Sequence, residues 1–595
     1  MPEAVQTVTI GMDRAMLQYQ STQLGGFTLT AHDRTLGTQQ PTGADAVPDS
    51  SGLNLWRADP AFAKLLPLYL PHDLFTHLEP HLDRLGALAG AHLDELARIA
   101  DKNPPVLHVR NRRGEDDERI ETHPAYREME ALAFGEFGLA ALSHRGDVLG
   151  WPDPMPPAAK YALTFLFAEA EFGLLCPVNM TDSLTRTLKR YGRPELIARY
   201  LPLLTSQDLD CLHQGAMFMT EQGAGSDISA TSVVARATDE AGTYSLNGDK
   251  WFCSNADAEL ALVLARLEGG PPGLKGVGLF LLARTLPNGR RNSYRIVRLK
   301  DKLGTRSMAS GEIRLEGATA WLVGDPQAGF KQMADMVNAS RLSNAVRSAG
   351  MMRRAVTEAL FVARNRIAFG RRLIDMPLMR RQLAKMVLRA EQARTMVLQT
   401  AEVMRRSDAG EACAKPLLRI LTPLVKFRAC RDARVVTGDA MEVRGGCGYI
   451  EEWSDSRLLR DAHLGSIWEG TSNIVALDVV RAAQREGGLD ALRAHIIRLT
   501  SETREPLDGL IADFERAGAA LERAQANPAL TRSAASALYH VTSAAGLAWE
   551  AARADCPERV HLAELVLEHR VRPRDPLAPE SPTAQERIAT ILCVA

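Results

Sequence analysis

Between about residue 215 and residue 330 the chain drops the three-to-four-residue recurrence of apolar positions seen on both flanks. It turns to short alternating or β-branched runs: SVVARAT, TYSLNGDKWF, LALVLARL, VGLFLL, YRIVRL and GEIRLEG. Period-two runs broken by turn residues present no helical face, so they predict a compact antiparallel β domain, 215–330, inside a helical protein. Asn247-Gly248 predicts a two-residue hairpin turn within it.

The flanks read as helix. Residues 56–214 carry stretches such as LDRLGALAGAHLDELARIA, punctuated at Pro104-Pro105 and Pro152 to Pro157, and predict an N-terminal helical domain. Residues 331–485 predict a helical bundle whose longest uninterrupted pattern is LMRRQLAKMVLRAEQARTMVLQTAEVMRR. Residues 486–595, rich in Ala and Leu, predict an additional helical domain, and the Gly-, Thr- and Pro-rich residues 1–55 an extended arm or loop segment, ordered only if it packs on a partner subunit.

Length and composition set the remaining bounds. A chain of 595 residues has room for about three or four domains and a sizeable cofactor. No run approaches the roughly 18 apolar residues of a membrane span, and MPEAVQTVTI lacks a signal-peptide layout, so no membrane partner and a cytoplasmic location are expected. The eight cysteines are scattered without a CxxC pair and the fourteen histidines include no HExxH, so neither a disulfide framework nor a protein-held metal is expected.

Five stretches can carry chemistry. Met219-Thr220-Glu221-Gln222-Gly223-Ala224-Gly225-Ser226-Asp227 combines two glycines that permit close backbone approach with hydroxyls that can donate, although hairpin glycines have the same look. In Lys250-Trp251-Phe252-Cys253-Ser254-Asn255, Phe252 and Ser254 share a strand face and can meet a planar ring together; core packing is the plainer reading of the aromatics. Arg364 to Arg372 and Glu442 to Tyr449 pair arginines with glycine turns that can hold a pyrophosphate, or equally form a solvated basic face and a helix cap. In Ser466-Ile467-Trp468-Glu469-Gly470-Thr471-Ser472-Asn473, Thr471 or Ser472 can cap the apolar run that follows, which puts Glu469 just before a helix N-terminus. There it is either an electrostatic helper or a base beside a cofactor.

In order, MTEQGAGSD, NGDKWFCSN, KDKLGTRS, RNRIAFG, GGCGY and IWEGTSN resemble the successive motifs of the acyl-CoA dehydrogenase family, strongly over about residues 150–485. HQGAMFMTEQGAGSD, the WF pair, MPLMRRQLAKM, SIWEGTSNIVALDVVR, NPPVLHVRNRRGEDDERIETHPAYREM and the helical tail resemble most the alkylation-inducible flavoproteins of the adaptive response within that family.

The resemblance implies a mainly α fold with a central antiparallel β domain: helical N-domain, β domain and C-terminal helical bundle, here with an extra C-terminal helical domain. It also implies a homotetramer with FAD at the subunit junctions. Thr220, Ser226, Phe252 and Ser254 match flavin-side positions. Arg366, with Phe369 in its motif, and Gly445 and Gly446 match positions that reach the cofactor from a neighbouring subunit. Thr471 and Asn473 match cofactor contacts, and Glu469 the catalytic base. Ser226, Arg341 and Trp468 match substrate-side positions, the Trp468 ring being large enough to narrow an acyl pocket. Asn338 replaces an acid near the CoA moiety, and Pro377, Glu442 and Ala368 depart from common cofactor contacts.

Two functions follow as expectations. One is a DNA-associated flavoprotein that protects against alkylation damage with weak or no acyl-CoA dehydrogenase activity. The alternative is a working dehydrogenase of a short or branched acyl-CoA that passes electrons to an electron-transfer flavoprotein. Residues 341–470 hold 24 Lys+Arg against 14 Asp+Glu, a footprint compatible with phosphate contacts on double-stranded DNA. Residues 481–595 hold 14 Arg against 16 acids, so a DNA surface there has to be a local stripe, with Arg481, Arg485, Arg493 and Arg498 as candidates and a solvated bundle face as the plainer alternative.

Overall fold

The computed structural model describes residues 47–503, 507–575, 577–579 and 581–595. Residues 1–46 of the expected arm lie outside them. Its end packs on its own chain: Leu53 and Leu55 are buried, and the amide of Gly52 donates to the carbonyl of Gly90.

Helices α1 (Pro60–Leu65), α2 (His72–Ala89), α3 (His92–Lys102), α4 (Pro124–Glu130), α5 (Pro157–Ala168), α6 (Leu175–Tyr191) and α7 (Pro194–Leu204) form the first helical region. Pro opens four of these by supplying the helical φ where its missing N–H costs nothing, at Pro60, Pro124, Pro157 and Pro194. The all-helical expectation for this region is corrected by an antiparallel hairpin, β1 (Val106–Arg110) and β2 (Asp116–Glu121). Pro104-Pro105 ends α3, and the Arg112-Arg113-Gly114 tip turns the chain. Glu118 then ties the hairpin to the main sheet, accepting from Arg291 Nη2 at 2.8 Å and from the amide of Ile296.

The main sheet contains β3 (Gly215–Phe218), β4 (Val234–Ala237), β5 (Thr243–Ser254), β6 (Leu260–Leu267), β7 (Val277–Ala283), β8 (Tyr294–Leu299) and β9 (Ser310–Leu322). The circuit β6-β4-β5-β9-β7-β6 closes it on itself around Leu246, Val263, Phe280, Ile313 and Ala318. Two details differ from expectation. β6 runs parallel to β3 and β4, so the sheet is mixed. Asn247-Gly248 lies inside the continuous strand β5, at a register shift opposite β9, where Gly248 has φ 132 and a Cβ would stand 2.9 Å from Val233 Cγ2. The dipeptide makes a bulge and a close approach rather than a turn.

Beyond the sheet stand three long helices, α8 (Gly329–Asn365), α9 (Pro377–Asp408) and α10 (Ala414–Arg444). The two-residue strands β10 (Ile367–Ala368) and β11 (Arg371–Arg372) form a small ribbon between α8 and α9. After α11 (Ser454–Gly465) and α12 (Ser472–Arg485), the C-terminal helices α13 (Gly488–Ser501), α14 (Leu510–Ala526), α15 (Thr531–Arg553), α16 (Glu558–Val566) and α17 (Pro582–Val594) complete the chain. Their apolar faces join the same continuous core as the bundle. Among the described residues no helix is long and apolar enough to cross a membrane.

Candidate functional site

A cleft of about 2170 Å³ opens between the sheet, α6, α8 and the turn before α12. The loop after β3 forms one wall. It is pinned from below by the buried Lys250 Nζ to Glu221 Oε1 pair at 2.7 Å, by Ser232 donating to the other Glu221 oxygen, and by the amide of Trp251 donating to the carbonyl of Thr220 at 2.9 Å. A buried pair with its lone pairs satisfied holds loop geometry tightly, and Thr220 and Ser226 border the cleft as a result. Phe252 and Ser254 lie on the same strand face along the cleft, with Phe252 58% exposed. The Lys300 ammonium stands 3.4 Å from the Trp251 ring centroid and 5.1 Å from that of Phe252, steadying both rings by cation–π attraction. Lys302, also on the cleft, donates to the carbonyl of Met308, and burial pushes its amine down to about 8.

Opposite stands Glu469. Its backbone is left-handed (φ 56) and Gly470 follows at φ 99. A bulky residue there costs on the order of 1–3 kcal/mol and persists only where its surroundings enforce it. The enforcing contacts are visible. Arg341 Nε donates to the carbonyl of Glu469 at 3.0 Å, and Lys426 Nζ to the carbonyl of Gly470 at 2.5 Å. Ser340 Oγ donates to Glu469 Oε1 at 2.9 Å and itself accepts from Asn179 Nδ2. Oε2 is buried without a partner. Burial raises the Glu469 carboxyl above its ordinary value, opposed by the Ser340 hydrogen bond and the charges of Lys426, Arg341 and Arg347. The result is an unpartnered acceptor oxygen, kept from water, on a residue that lines the cleft, the condition of a carboxylate base.

Trp468 lines the cleft with its ring stacked on Phe172, centroids 5.9 Å apart, and the buried Arg347 guanidinium 5.3 Å from its centroid. It is a fixed wall of the cleft. Arg341 is engaged inward: besides the Glu469 carbonyl it donates to Asn338 Oδ1 and to Asp478 Oδ2, and Arg419 completes the pair with Asp478.

The remaining expected residues separate. Thr471 lines the cleft as the N-cap residue of α12 but makes no side-chain capping bond, and Asn473 is exposed in the first turn of that helix. Arg366, Phe369, Gly445 and Gly446 lie away from the cleft. Arg366 Nη1 donates to the carbonyl of Arg444 at 3.0 Å, next to Gly445. Phe369, itself left-handed, is 97% exposed and Tyr449 80%. Of the four candidate arginines, Arg481 and Arg485 line the cleft, Arg481 pairing with Asp478 at 3.4 Å, while Arg493 pairs with Glu515 at 2.7 Å and Arg498 with Glu502 at 2.9 Å. Sequence reasoning missed Ser340, Asn179, Lys426 and Asp478. Only Ser340 had a linear signal, its adjacency to Arg341.

Family models match most of the chain: the adaptive response protein AidB N-terminal domain at residues 45–211, the acyl-CoA dehydrogenase middle domain at 216–318 and the acyl-CoA dehydrogenase C-terminal domain at 327–484. Putative acyl-CoA dehydrogenase AidB of Escherichia coli is 35% identical over 448 residues, covering 73% of this chain and 78% of the relative. Acyl-CoA dehydrogenase family member 11 of Caenorhabditis elegans is 30% identical over 79% of this chain and 78% of its own. The solved structure of C. elegans ACDH-11 in complex with C11-CoA superposes with a TM-score of 0.81 at 27% identity, covering 91% of this chain and 95% of that one. The Bd2924 apo-form gives 0.78 at 30% identity, covering 85% and 100%. With its helical domains, its closed sheet and a cleft flanked by a buried glutamate, the chain belongs to the acyl-CoA dehydrogenase family, FAD-dependent oxidoreductases acting on CH-CH groups, with AidB among its relatives.

Proposed function

We propose that this protein is an FAD-dependent α,β-dehydrogenase of an acyl-CoA thioester, with Glu469 as the base. The observation that carries the reading is the orphaned Glu469 Oε2, buried beside the cleft while Oε1 is held by Ser340. Glu469 removes the α-proton, the β-hydrogen leaves as hydride, and the C=C bond forms between the two carbons. FAD, when bound, supplies the acceptor for that hydride.

The residues fit such a cofactor. Phe252 offers an exposed ring face, with Thr220 and Ser254 offering hydroxyls on the same wall. A Cβ built on Gly446 would have nothing within 4 Å, which leaves its backbone open to a phosphate. Because Arg366, Gly445 and Gly446 face away from this chain's own cleft, the reading includes a second copy that supplies them, within a homotetramer. Purified protein should be yellow, and anaerobic addition of acyl-CoA should bleach it; an intact flavoprotein that no acyl-CoA bleaches sinks the proposal.

A second reading, protection of double-stranded DNA from alkylation, is supported by the likeness to AidB. It is also supported by the grouping of Arg431 with Arg532 and Arg434, close enough that both depress the Arg431 pKa after burial does. Arg493 and Arg498, neutralised by their own acids, fit it poorly. Duplex affinity that falls steeply with salt would support it through counterion release; no binding at low salt would remove it.

A further inference from the structure

The Glu469–Gly470 turn is gripped from two sides, and the two grips differ. Arg341 comes from α8 and is itself fixed by Asp478 and Asn338. Lys426 comes from α10, is 1% exposed, and has the Gly470 carbonyl as its hydrogen-bond acceptor, with no carboxylate among the described residues in ion-pair contact. A buried ammonium without a carboxylate partner is costly, and a methionine of similar volume would fill the same space without the charge. The ammonium is therefore placed for what it holds.

We infer that Lys426 is the positioning residue of the base: its ammonium locks the Gly470 carbonyl and so keeps Glu469 in the left-handed conformation that holds its carboxyl at the cleft wall. The inference rests on the reading of Glu469 as base. The charged and titratable groups that act on the Lys426 amine are Cys430 one turn along α10, Arg341 from α8 and Glu469 itself. Burial brings the amine down to about 8, so it is mostly protonated at neutral pH. Its charge also lowers the Glu469 carboxyl, giving Lys426 an electrostatic hold on the base besides the geometric one.

The test uses the full-length flavoprotein and the variants Lys426→Met, Lys426→Gln and Lys426→Arg, each checked for flavin content. Hydrogen exchange followed by mass spectrometry over residues 466–473 should be about tenfold faster in Lys426→Met and Lys426→Gln than in the parent, with other segments unchanged and Lys426→Arg intermediate. Flavin bleaching by acyl-CoA should slow about a hundredfold while acyl-CoA affinity stays within about twofold, the signature of a displaced base rather than a damaged pocket. The acid limb of the bleaching rate should move to higher pH in the Met and Gln variants and stay in place in Lys426→Arg. Unchanged exchange over 466–473 in flavin-loaded Lys426→Met or Lys426→Gln overturns the inference. If the parent protein is not bleached at all, the dehydrogenase reading fails, and the exchange measurement still decides the role of Lys426.

Discussion

Glu469 is kept ionisable in a place where ionisation is expensive, and that fixes the sign of its pH dependence. Its folded-state carboxyl is raised above the ordinary glutamate value, burial being the largest cause. The folded state therefore binds this proton more tightly than the unfolded chain. The stability this group contributes is greatest below the unfolded pKa and falls as pH rises toward the raised folded one, after which the penalty is constant. Glu469→Gln should accordingly raise the melting temperature at neutral pH, with the gain vanishing below about pH 4.5, while abolishing bleaching by acyl-CoA. A Gln variant no more stable than its parent at pH 7 would contradict the buried-charge account. At this scale the sequence was partly legible. The motif order marks Glu469, and its place before a helix is visible in the apolar run from Ile474. Its left-handed backbone is not, because the contacts enforcing it come from Arg341 and Lys426, far along the chain. Trp468 had an open role because nothing linear joins it to Phe172 and Arg347, which hold its ring.

Among the elements, the long helices and most strands follow from periodicity, since each buries one face or one stripe and the pattern records it. The failures share a cause: a local signal overruled by tertiary pairing. Asn247-Gly248 has the composition of a hairpin turn, yet β9 pairs with β5 on both sides of it, so the chain continues and the glycine is used for a close pass over Val233. Gly248→Ala, with φ 132 and a Cβ 2.9 Å from Val233 Cγ2, should destabilise the protein by about 1–3 kcal/mol in denaturant unfolding. A neutral result would mean the bulge relaxes freely. The β1–β2 hairpin escaped notice because β2 (DDERIE) is almost wholly charged and β1 (VLHVR) is five residues long with its valines exposed, too little for an alternating pattern; it is held by Glu118 reaching the sheet, a contact across more than 170 residues of sequence.

For the molecule as a whole, the C-terminal helices are clamped to the bundle and the first helical region by a buried ionic network. Glu550 on α15 accepts from Tyr69 Oη at 2.7 Å, Thr395 Oγ1 at 2.7 Å and Arg559 Nη2 at 2.6 Å, and Arg559 reaches on to Glu391, which also pairs with Arg394. Removing one member strands charge out of water, so Glu550→Ala should cost about 3–5 kcal/mol, read as a lower denaturation midpoint. Against this closed interior stands an open face: Phe369 at 97% exposure, Tyr449 at 80% and Ile367 at 68%, gathered around Arg366 and the Gly445 turn. A monomer would leave that apolar surface in water beside residues whose family match is to a neighbour's cofactor. If a second copy covers it, Phe369→Asp places a charge in the contact without disturbing the fold, because the ring touches almost nothing in its own chain. Sedimentation should then show a smaller particle, and bound FAD should fall together with the assembly while the melting temperature of the remaining protein stays near that of its parent. A Phe369→Asp protein of parental size and flavin content would show that this face is not where the copies meet.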